Sequence, residues 1–476
     1  MATTKTVAVV GAGLAGSEAA LQLAHAGFHV TLHDIKPTQQ SPAHHEPTFA
    51  EIVCSNSMGS LQPSSASGLL KQEMELLGCH LLTLAKQVAV PAGNALAVDR
   101  NAFTQLVTDT LHAHPNITVM CGEVTELPAA DVVIVATGPL TTPALAQTLS
   151  KLVNREQLFF FDAASPILTR DSIDMSIAFV QDRYDKKVDS HLDDDQFASE
   201  DEGSYINCPF TQPQYEALVN FLNTAEKVPL KDFEKDTSFF ESCVPVDELA
   251  RRGVETLRYG PMKPKGLRNP HLPEGSFQQP YAVVQLRQDN REGTLYNIVG
   301  FQTNLKWGPQ AEMIRLIPGL ENADVVRFGV MHRNTYLHSP EVLQPTLQLK
   351  AHPHVLIAGQ LTGTEGYTES IATGMWAGRN AICLLQGDAP LTLPKETMLG
   401  ALLAYITRDE AAGKKFQPIN SNWGIVPAIS GVPRRVLKDK REKARLLGEQ
   451  AITALTAWMQ THPASGAFKQ AVGVTC

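Results

Sequence analysis

Cysteine is scarce in this sequence, and its spacing argues against the common metal sites. There are seven cysteines in 476 residues, an odd number, and no two of them form a Cys-x-x-Cys pair. Neither a zinc site nor a disulfide framework is therefore expected. The pair His44-His45 has no further candidate ligands close by in the sequence, so we expect no metal. Reduced thiols in a cytoplasmic protein are the simplest interpretation.

Long apolar runs and an excess of positive charge are also missing. No apolar run is long enough to span a bilayer, and the apolar residues Val7 to Val10 are better explained as a strand than as part of a cleavable leader. The net charge is −9, so an RNA partner would have to bind a local basic patch. The length is sufficient for two or three domains.

The N-terminus carries the pattern of a dinucleotide-binding unit. An apolar run leads into Gly11-Ala12-Gly13-Leu14-Ala15-Gly16, a helical pattern follows, and a second apolar run ends at Asp34. In this pattern the first glycine allows a tight turn, the second lets the backbone approach a pyrophosphate, and the third lets helix and strand pack closely. The helix N-terminus offers N–H groups to phosphates, and Asp34 is placed to bind ribose hydroxyls. A glycine-rich turn in an unrelated α/β domain is the alternative.

Two later segments have a similar strand-to-turn character. A fully apolar run ends in Ala136-Thr137-Gly138, a turn that commonly lies against the cofactor in flavoproteins with two dinucleotide folds, although an ordinary strand-to-loop turn would look the same. Near the C-terminus an apolar run enters a glycine-rich turn and then a helix, whose free N–H groups would suit an isoalloxazine carbonyl or a pyrophosphate. The candidate cofactor-binding residues of these two segments are Thr137, Gly138, Gly359, Gln360, Gly363, Gly366 and Tyr367.

The glycine-rich junctions lie at opposite ends of the chain, which predicts a cofactor domain interrupted by an insertion. We expect the cofactor domain over residues 1–140 and 331–462, and an inserted, substrate-facing domain over residues 141–330. Residues 463–476 show little periodicity and are expected to form a flexible tail.

Two of the cysteines have surroundings that favour reactivity. Cys54 ends a short apolar stretch and lies among small hydroxyl and amide residues. Cys243 comes just before a helix initiated by proline, and a helix N-terminus lowers the pKa of a thiol and raises its thiolate fraction. For both, the alternative is a packed, unreactive thiol, which is the usual state of cysteine. Cys208 has a similar Cys-Pro context and is interpreted as structural.

Three charged segments bear on the choice of partner. The acidic run over residues 193–202 is expected to be a solvated, mobile loop that faces away from RNA. The loop over residues 259–268 presents Lys263, Lys265 and Arg268 on a path fixed by proline and glycine, and these cations could meet RNA phosphates, a folate glutamate tail or nothing. A basic cluster near the C-terminus is the best electrostatic candidate for an RNA backbone, although most such runs are solvated faces. The cluster consists of Arg434, Arg435, Lys438, Lys440, Arg441, Lys443 and Arg445.

Several motifs, spread over nearly the whole chain, form a specific set. They are Gly11 to Gly16, Pro42-Ala43-His44-His45, Val53-Cys54-Ser55-Asn56-Ser57, Pro91-Ala92-Gly93, Ala97-Val98-Asp99-Arg100, Asn207-Cys208-Pro209, Gly260-Pro261-Met262-Lys263-Pro264 and Gly359-Gln360-Leu361-Thr362-Gly363. As a set they resemble the TrmFO family of folate- and FAD-dependent tRNA uracil-5-methyltransferases, also called the small Gid family. The larger MnmG (GidA) flavoproteins of tRNA wobble-uridine modification share the FAD scaffold but are longer.

The resemblance implies an α/β fold, with a Rossmann-like FAD-binding domain of glutathione-reductase type and an inserted α+β domain. It also implies methylation at C5 of uridine 54 in the tRNA T-loop. The carbon would come from 5,10-methylenetetrahydrofolate, and the reducing equivalents from FAD that NAD(P)H has reduced. The alternatives are an NAD(P)H-dependent flavin oxidoreductase acting on a small molecule, wobble-uridine modification of the MnmG kind, and an RNA-binding flavoprotein without turnover.

The chemistry that the resemblance implies needs two reactive groups. Uracil C5 is not nucleophilic enough to attack a one-carbon unit, so a thiolate must first add at C6. A second group must then take the C5 proton. Two cysteines of the family match Cys54 and Cys243, the same two that their local surroundings favour. We expect Cys243 to be the covalent nucleophile, and Cys54 to be its partner near the flavin, acting in proton removal or adduct protection.

Overall fold

The computed structural model describes residues 5–41, 43–155, 158–163, 165–183, 204–228, 244–273, 279–329, 331–409, 416–429, 432 and 439–462. The described strands, in chain order, are β1 Val7–Val10, β2 Val30–Asp34, β3 Ser57–Ser60, β4 Ala89–Val90, β5 Ala95–Val98, β6 Ile117–Cys121, β7 Val132–Val135, β8 Leu158–Ala163, β9 Ile167–Thr169, β10 Phe179–Val180, β11 Tyr205–Phe210, β12 Ala282–Gln288, β13 Leu295–Ile298, β14 Val325–Arg327, β15 Met331–Tyr336 and β16 Val355–Ile357. The described α-helices are α1 Leu14–His25, α2 Ala66–Leu76, α3 His80–Gln87, α4 Arg100–Ala113, α5 Pro143–Val153, α6 Gln212–Thr224, α7 Val246–Arg251, α8 Thr256–Tyr259, α9 Trp307–Arg315, α10 Ser339–Val342, α11 Tyr367–Gln386, α12 Met398–Ile406 and α13 Lys440–Thr461. Short 3₁₀ turns follow β9 and β16 at Arg170–Ser172 and Gly359–Thr362.

Five strands form a parallel sheet in the order β16-β7-β1-β2-β6. In its centre Val7 of β1 lies opposite Val30 on one side and Val132 on the other. The edge strand β16 comes from the far end of the chain and pairs in parallel with β7. The chain therefore leaves this sheet after β7 and returns to it more than two hundred residues later, and the parallel sheet confirms the predicted α/β class.

Both faces of the parallel sheet are covered, which explains why β1 and β7 are apolar at every position. Val9 and Ile134 lie in the core cluster that includes α1 and α11. Val10 and Val135, the next residue of each strand, lie in a second cluster with Leu145 of α5. Strands that are buried on both faces read as unbroken apolar runs, in contrast to the alternating pattern of a half-exposed sheet.

Between β7 and β16 the chain builds a second, antiparallel sheet of six strands in the order β10-β11-β12-β13-β9-β14. Helices α6, α7 and α9 pack on it, and Tyr215, Val246 and Met313 are buried in the core that they share. This layer of helices on an antiparallel sheet is the expected α+β insertion. Two small sheets, β15-β8 and β3-β5-β4, complete the described strands. The exact domain boundaries stay a prediction.

Helices α1 and α11, one from each end of the chain, pack against each other at unusually close range. A methyl group added at Gly374 of α11 would lie 2.1 Å from the carbonyl oxygen of Ala15. The small residues that follow the second glycine-rich turn therefore serve this contact. As a result the N-termini of both helices are held on the same side of the parallel sheet.

No helix in the described part of the chain has the length and apolar character that a membrane span requires. Several predictions concern residues outside that part, and the structure does not test them. They are the thiol of Cys243, the acidic run over 193–202, the first three members of the basic cluster (Arg434, Arg435 and Lys438) and the tail over 463–476.

Candidate functional site

A cavity of about 600 Å³ opens at the carboxyl ends of β1, β2 and β7. This is the edge of a doubly wound sheet at which ligands bind, and the volume lies within the range of about 300–1,000 Å³ typical of small-molecule sites. Cys54 lies in its wall. The predicted cofactor-binding residues that line it are Gly11, Ala12, Gly13, Leu14, Ala15, Asp34, Thr137, Gly138, Gly359, Gln360, Gly366 and Tyr367.

The turn after β1 is shaped by its glycines. Gly11 has φ +100°, and a methyl group there would lie 2.5 Å from the carbonyl oxygen of Ala136. A methyl group on Gly13 would meet no described atom within 4 Å, because this residue faces the open cavity. Gly13 also begins α1, and no described side chain caps the helix. The backbone N–H groups of the first turn are thus open to an anion that lies on the glycine.

Asp34, at the end of β2, ties two chain segments together. One carboxylate oxygen accepts a hydrogen bond from the N–H of Ala12 at 2.6 Å, and the other accepts one from the N–H of Lys36 at 2.9 Å. Burial raises the pKa of this carboxyl group, and the two backbone hydrogen bonds oppose that effect. Asp34 therefore fixes the glycine turn to the end of β2 and presents its carboxyl group at the cavity wall. Its contact with a ribose stays a prediction.

The second glycine-rich junction meets the Cys54 region through Tyr367, the first residue of α11. The phenolic oxygen of Tyr367 accepts hydrogen bonds from the N–H of Cys54 at 2.8 Å and from the N–H of Ser55 at 3.3 Å. Burial raises the pKa of Tyr367 well above its ordinary value, so the phenol is neutral. This contact brings together segments that are more than three hundred residues apart.

Two predicted cofactor-binding glycines do not line the cavity. Gly16 lies behind it, where a methyl group would be 1.7 Å from the carbonyl oxygen of Gly11, and its absent side chain permits close packing of α1 on β1. Gly363 also lies outside the lining, and a methyl group there would be 2.5 Å from the ring of Phe416. Its predicted cofactor contact is corrected to a packing role, and the sequence could not show this because Phe416 is distant in the chain.

Cys54 is half-buried, and arginines that the sequence did not identify as site residues surround its backbone. Arg100 donates to the carbonyl oxygen of Ile52 at 2.7 Å, and Arg327 donates to that of Val53 at 3.0 Å. The only signal in the sequence was the place of Arg100 in the motif Ala97-Val98-Asp99-Arg100. Arg327 lies in an unremarkable strand, and only the fold brings it to the site.

The chain that follows Cys243 also approaches the cavity. The N–H of Val246 donates to the carbonyl oxygen of Gln302 at 2.7 Å, and Gln302 lines the cavity wall. Cys243 itself lies outside the described residues, so its position and role stay predictions. Cys208 is fully buried in β11, and burial raises the pKa of its thiol, in agreement with a structural role.

The predicted cationic surfaces are only partly described. In the loop over 259–268, Met262 and Leu267 are buried whereas Lys265 and Arg268 are exposed, so the loop is anchored and its cations face solvent. In α13, Arg445 is paired with Glu442 at 2.6 Å and with Glu449 at 2.5 Å, which reduces the local positive charge. Within the described residues, no group of three or more His, Cys, Asp and Glu side chains is placed to hold a metal ion.

Comparison with known proteins gives one matching family. A model of the family described as glucose inhibited division protein A matches residues 6–389. A protein of Bacillus cytotoxicus named methylenetetrahydrofolate–tRNA-(uracil-5-)-methyltransferase TrmFO is 48% identical over 453 residues, which are 95% of this chain and 98% of that protein. The protein of the same name from Exiguobacterium sibiricum is 50% identical over 451 residues, again 95% and 98% of the two chains.

Solved structures give the same fold. GidA of Aquifex aeolicus in its form I crystal superposes with a TM-score of 0.67 at 17% identity, covering 98% of this chain and 76% of that chain. The form II crystal gives a TM-score of 0.66 at 16% identity, covering 99% and 75%. At this identity the likeness concerns the fold alone, and it confirms the predicted architecture of a Rossmann-like domain with an insertion.

Proposed function

The chain belongs to the TrmFO group of the glucose inhibited division protein A family, and from this premise we propose that it methylates C5 of a uracil in tRNA with carbon from methylenetetrahydrofolate. One observation carries the proposal. In a chain that is 50% identical to a named tRNA uracil methyltransferase over 95% of its length, the half-buried thiol of Cys54 and the glycine turn after β1 line the same cavity. A cofactor and a nucleophilic side chain can therefore meet there.

The residues of the cavity fit FAD. The space in front of Gly13 and the uncapped start of α1 suit a pyrophosphate, and the carboxyl group of Asp34 suits a ribose. Thr137, Gly138 and the start of α11 form further parts of the same wall. FAD, once reduced by NAD(P)H, supplies the reducing equivalents that convert the transferred carbon into a methyl group.

The protein's own side chains supply the remaining steps. In this proposal the thiolate of Cys243 adds to C6 of uracil, which makes C5 nucleophilic toward the one-carbon unit. Cys54 then takes the C5 proton, or protects the reactive carbon before the RNA arrives. The neutral phenol of Tyr367 orients the backbone of Cys54. The target is uridine 54 of the T-loop, and such a substrate places the enzyme in the cytoplasm.

The test uses the full-length protein, an unmodified tRNA transcript, NADPH and methylenetetrahydrofolate labelled in its methylene group. We expect label in the tRNA as 5-methyluridine, and none when uridine 54 is replaced by cytidine. Cys54→Ala and Cys243→Ala should abolish the transfer. Cys121→Ala is the matched control, because this thiol is exposed and does not line the cavity.

The alternatives predict different outcomes of the same experiment. Consumption of NADPH without label in the tRNA would contradict the methyltransferase and favour a small-molecule oxidoreductase. Label at the wobble position would favour the chemistry of the larger GidA proteins. Salt-sensitive tRNA binding that persists without turnover, and without need of either thiol, would indicate an RNA-binding flavoprotein.

A further inference from the structure

Three arginines from three different elements converge on residues 52–56, which we call the Cys54 segment. They belong to the start of α4, to β12 and to β14, and each donates to a different residue of the segment. All three lie behind the segment, on the side of the antiparallel sheet. The hydrogen bonds run from Arg100 Nη1 to Ile52 O (2.7 Å), from Arg327 Nη2 to Val53 O (3.0 Å) and from Arg287 Nη2 to Ser55 Oγ (2.6 Å).

These three positive charges are not balanced by acids. Arg100 is paired with Asp289, whose two oxygens lie 3.0 and 2.9 Å from its Nε. Arg287 donates only to neutral oxygens, among them the amide oxygen of Asn56 at 2.9 Å. Neither Arg287 nor Arg327 forms an ion pair within the described residues. The Nε of Arg327 and the Nη2 of Arg100 are buried without an acceptor there.

Burial does not remove these charges. Arg287 is 7% exposed, and burial lowers the pKa of Arg287 and of Arg327 from the ordinary value of 12.5. A guanidinium starts so far above neutral pH that it stays protonated in proteins. The surroundings of the Cys54 segment therefore carry a net excess of positive charge.

The other ionisable groups near the segment do not cancel this excess. Tyr367 is neutral, and Glu51, the residue before the segment, is paired with Lys36 at 2.7 Å. The remaining acids of the cavity wall bind donors of their own. Asp34 accepts from two backbone N–H groups, Glu369 accepts from the N–H of Ser421, and Glu365 accepts from the amide of Gln360.

We propose that Arg287 and Arg327 are positioning residues that hold the Cys54 side chain in its thiolate form for the methylation reaction. The proposal rests on the function argued above, because it concerns the same cavity. Cations that are screened little by solvent favour the charged form of a neighbouring acid. In the proton-removal role, the C5–H bond of the pyrimidine breaks, its electron pair stays on the ring, and an S–H bond forms at Cys54.

The thiolate fraction of Cys54 can be measured without RNA or folate. The FAD-loaded, full-length protein is treated with iodoacetamide across a range of pH, and the alkylated Cys54 peptide is quantified by mass spectrometry. In the wild type we expect the midpoint of the rate profile to lie below the ordinary thiol value of about 8.5. Arg287→Gln and Arg327→Gln should each raise it by about one pH unit, a tenfold loss of thiolate at low pH.

Two further variants separate charge from packing. Arg327→Lys and Arg287→Lys keep the positive charge and should keep most of the lowered midpoint, although they break the hydrogen-bond geometry. Arg441→Gln, an exposed position on α13, is the matched control and should leave the profile unchanged. Because Arg327 is the less buried of the two cavity arginines, its variants remain available if those of Arg287 do not fold.

An unchanged midpoint in Arg327→Gln, in protein that keeps its FAD absorbance, would overturn the proposal. An equal rise in the Gln and Lys variants would also overturn it, because geometry rather than charge would then be responsible. Loss of tRNA methylation with no change in the alkylation profile would assign the arginines to folding alone. Failure of the methylation reaction in the wild type would instead contradict the proposed function and would leave the alkylation profile to be judged separately.

Discussion

The backbone N–H of Cys54 donates a 2.8 Å hydrogen bond to the phenolic oxygen of Tyr367, a residue 313 positions further along the chain. Tyr367 is also the first residue of α11, which packs on α1. The candidate thiol is therefore fixed to the same two helices whose N-termini form the walls of the cavity. A thiol on a freely moving loop would not have a constant position relative to a bound cofactor.

Tyr367→Phe should destabilise the protein by about 1–3 kcal/mol, because it leaves two partly buried N–H groups without an acceptor. Methylation should fall by more than the loss of folded protein explains, since the backbone of Cys54 is released. Urea unfolding and labelled transfer to tRNA check the two effects. Tyr259→Phe is the control, because that ring is 72% exposed. Equal activity per folded molecule in both variants would contradict the positioning role.

Gly13→Ala and Gly16→Ala form a second test, because the structure assigns the two glycines opposite reasons. Alanine at 13 meets no described atom within 4 Å, so folding should be unaffected, but the methyl group would occupy the space in front of α1. FAD affinity should fall by roughly tenfold or more. Alanine at 16 would place its methyl group 1.7 Å from a backbone oxygen and should cost more than about 3 kcal/mol of stability.

Equilibrium dialysis with FAD and thermal unfolding of the apoprotein separate these two expectations. If Gly13→Ala bound FAD as tightly as the wild type, the pyrophosphate would not lie at this turn. If Gly16→Ala were as stable as the wild type, the close packing of α1 on β1 would not matter for stability.

These glycines also show what the sequence could predict. The turn, the helix and both strands around Gly11 to Gly16 follow from local rules of backbone geometry and apolar patterning, and so does the cap of α4, where Asp99 accepts from the N–H of Ala102 at 2.9 Å. Helix and strand positions near these signals were predicted closely. The reactive setting of Cys54 was also suggested by its polar neighbours.

The surroundings of the thiol could not be predicted in this way. Arg287 reaches Asn56 across 231 residues, and no local pattern marks it as different from other strand arginines. Gly363 was assigned to the cofactor because it lies in a glycine-rich turn, whereas the ring of Phe416 is what requires a glycine there. In both positions the reason for the residue is a contact with a distant segment, which is a property of the fold.

A cluster of histidines should make the protein sensitive to mild acid. His25 stacks on His80 with ring centroids 4.2 Å apart, and its centroid lies 4.8 Å from that of His114. Burial lowers the pKa of His80 and of His114 from the ordinary value of 6.5, although the carboxylate of Glu18 partly opposes this at His80. Because the folded state binds these protons more weakly than the unfolded chain does, stability should fall as the pH drops below 6.5.

Urea unfolding midpoints at about pH 7.5 and about pH 5.5 measure this loss. His80→Gln should flatten the dependence, since it removes one of the groups that the folded state keeps uncharged. His29→Gln is the control, because that ring is exposed and lies outside the cluster. An identical slope in wild type and His80→Gln would contradict the assignment.

Asp247 anchors the chain that follows the predicted nucleophile, Cys243. It is fully buried at the start of α7. One of its carboxylate oxygens accepts from the hydroxyl of Thr303 at 3.0 Å and from the N–H of Asn304 at 3.1 Å. The other lies 3.0 Å from the Nζ of Lys227. These contacts join α7 to the loop that contributes Gln302 to the cavity.

Asp247→Asn keeps one acceptor oxygen but removes the charge that holds Lys227. We expect the turnover number for tRNA methylation to fall about tenfold, equivalent to about 1.4 kcal/mol, with little change in KM or FAD content, because the nucleophile is misplaced while the cofactor wall is intact. Glu248→Gln is the matched control, since this carboxylate contacts the same Lys227 at 3.3 Å from a more exposed position. If both variants lost activity equally, or if Asp247→Asn lost FAD as well, Asp247 would support the fold in general and would have no specific part in placing Cys243.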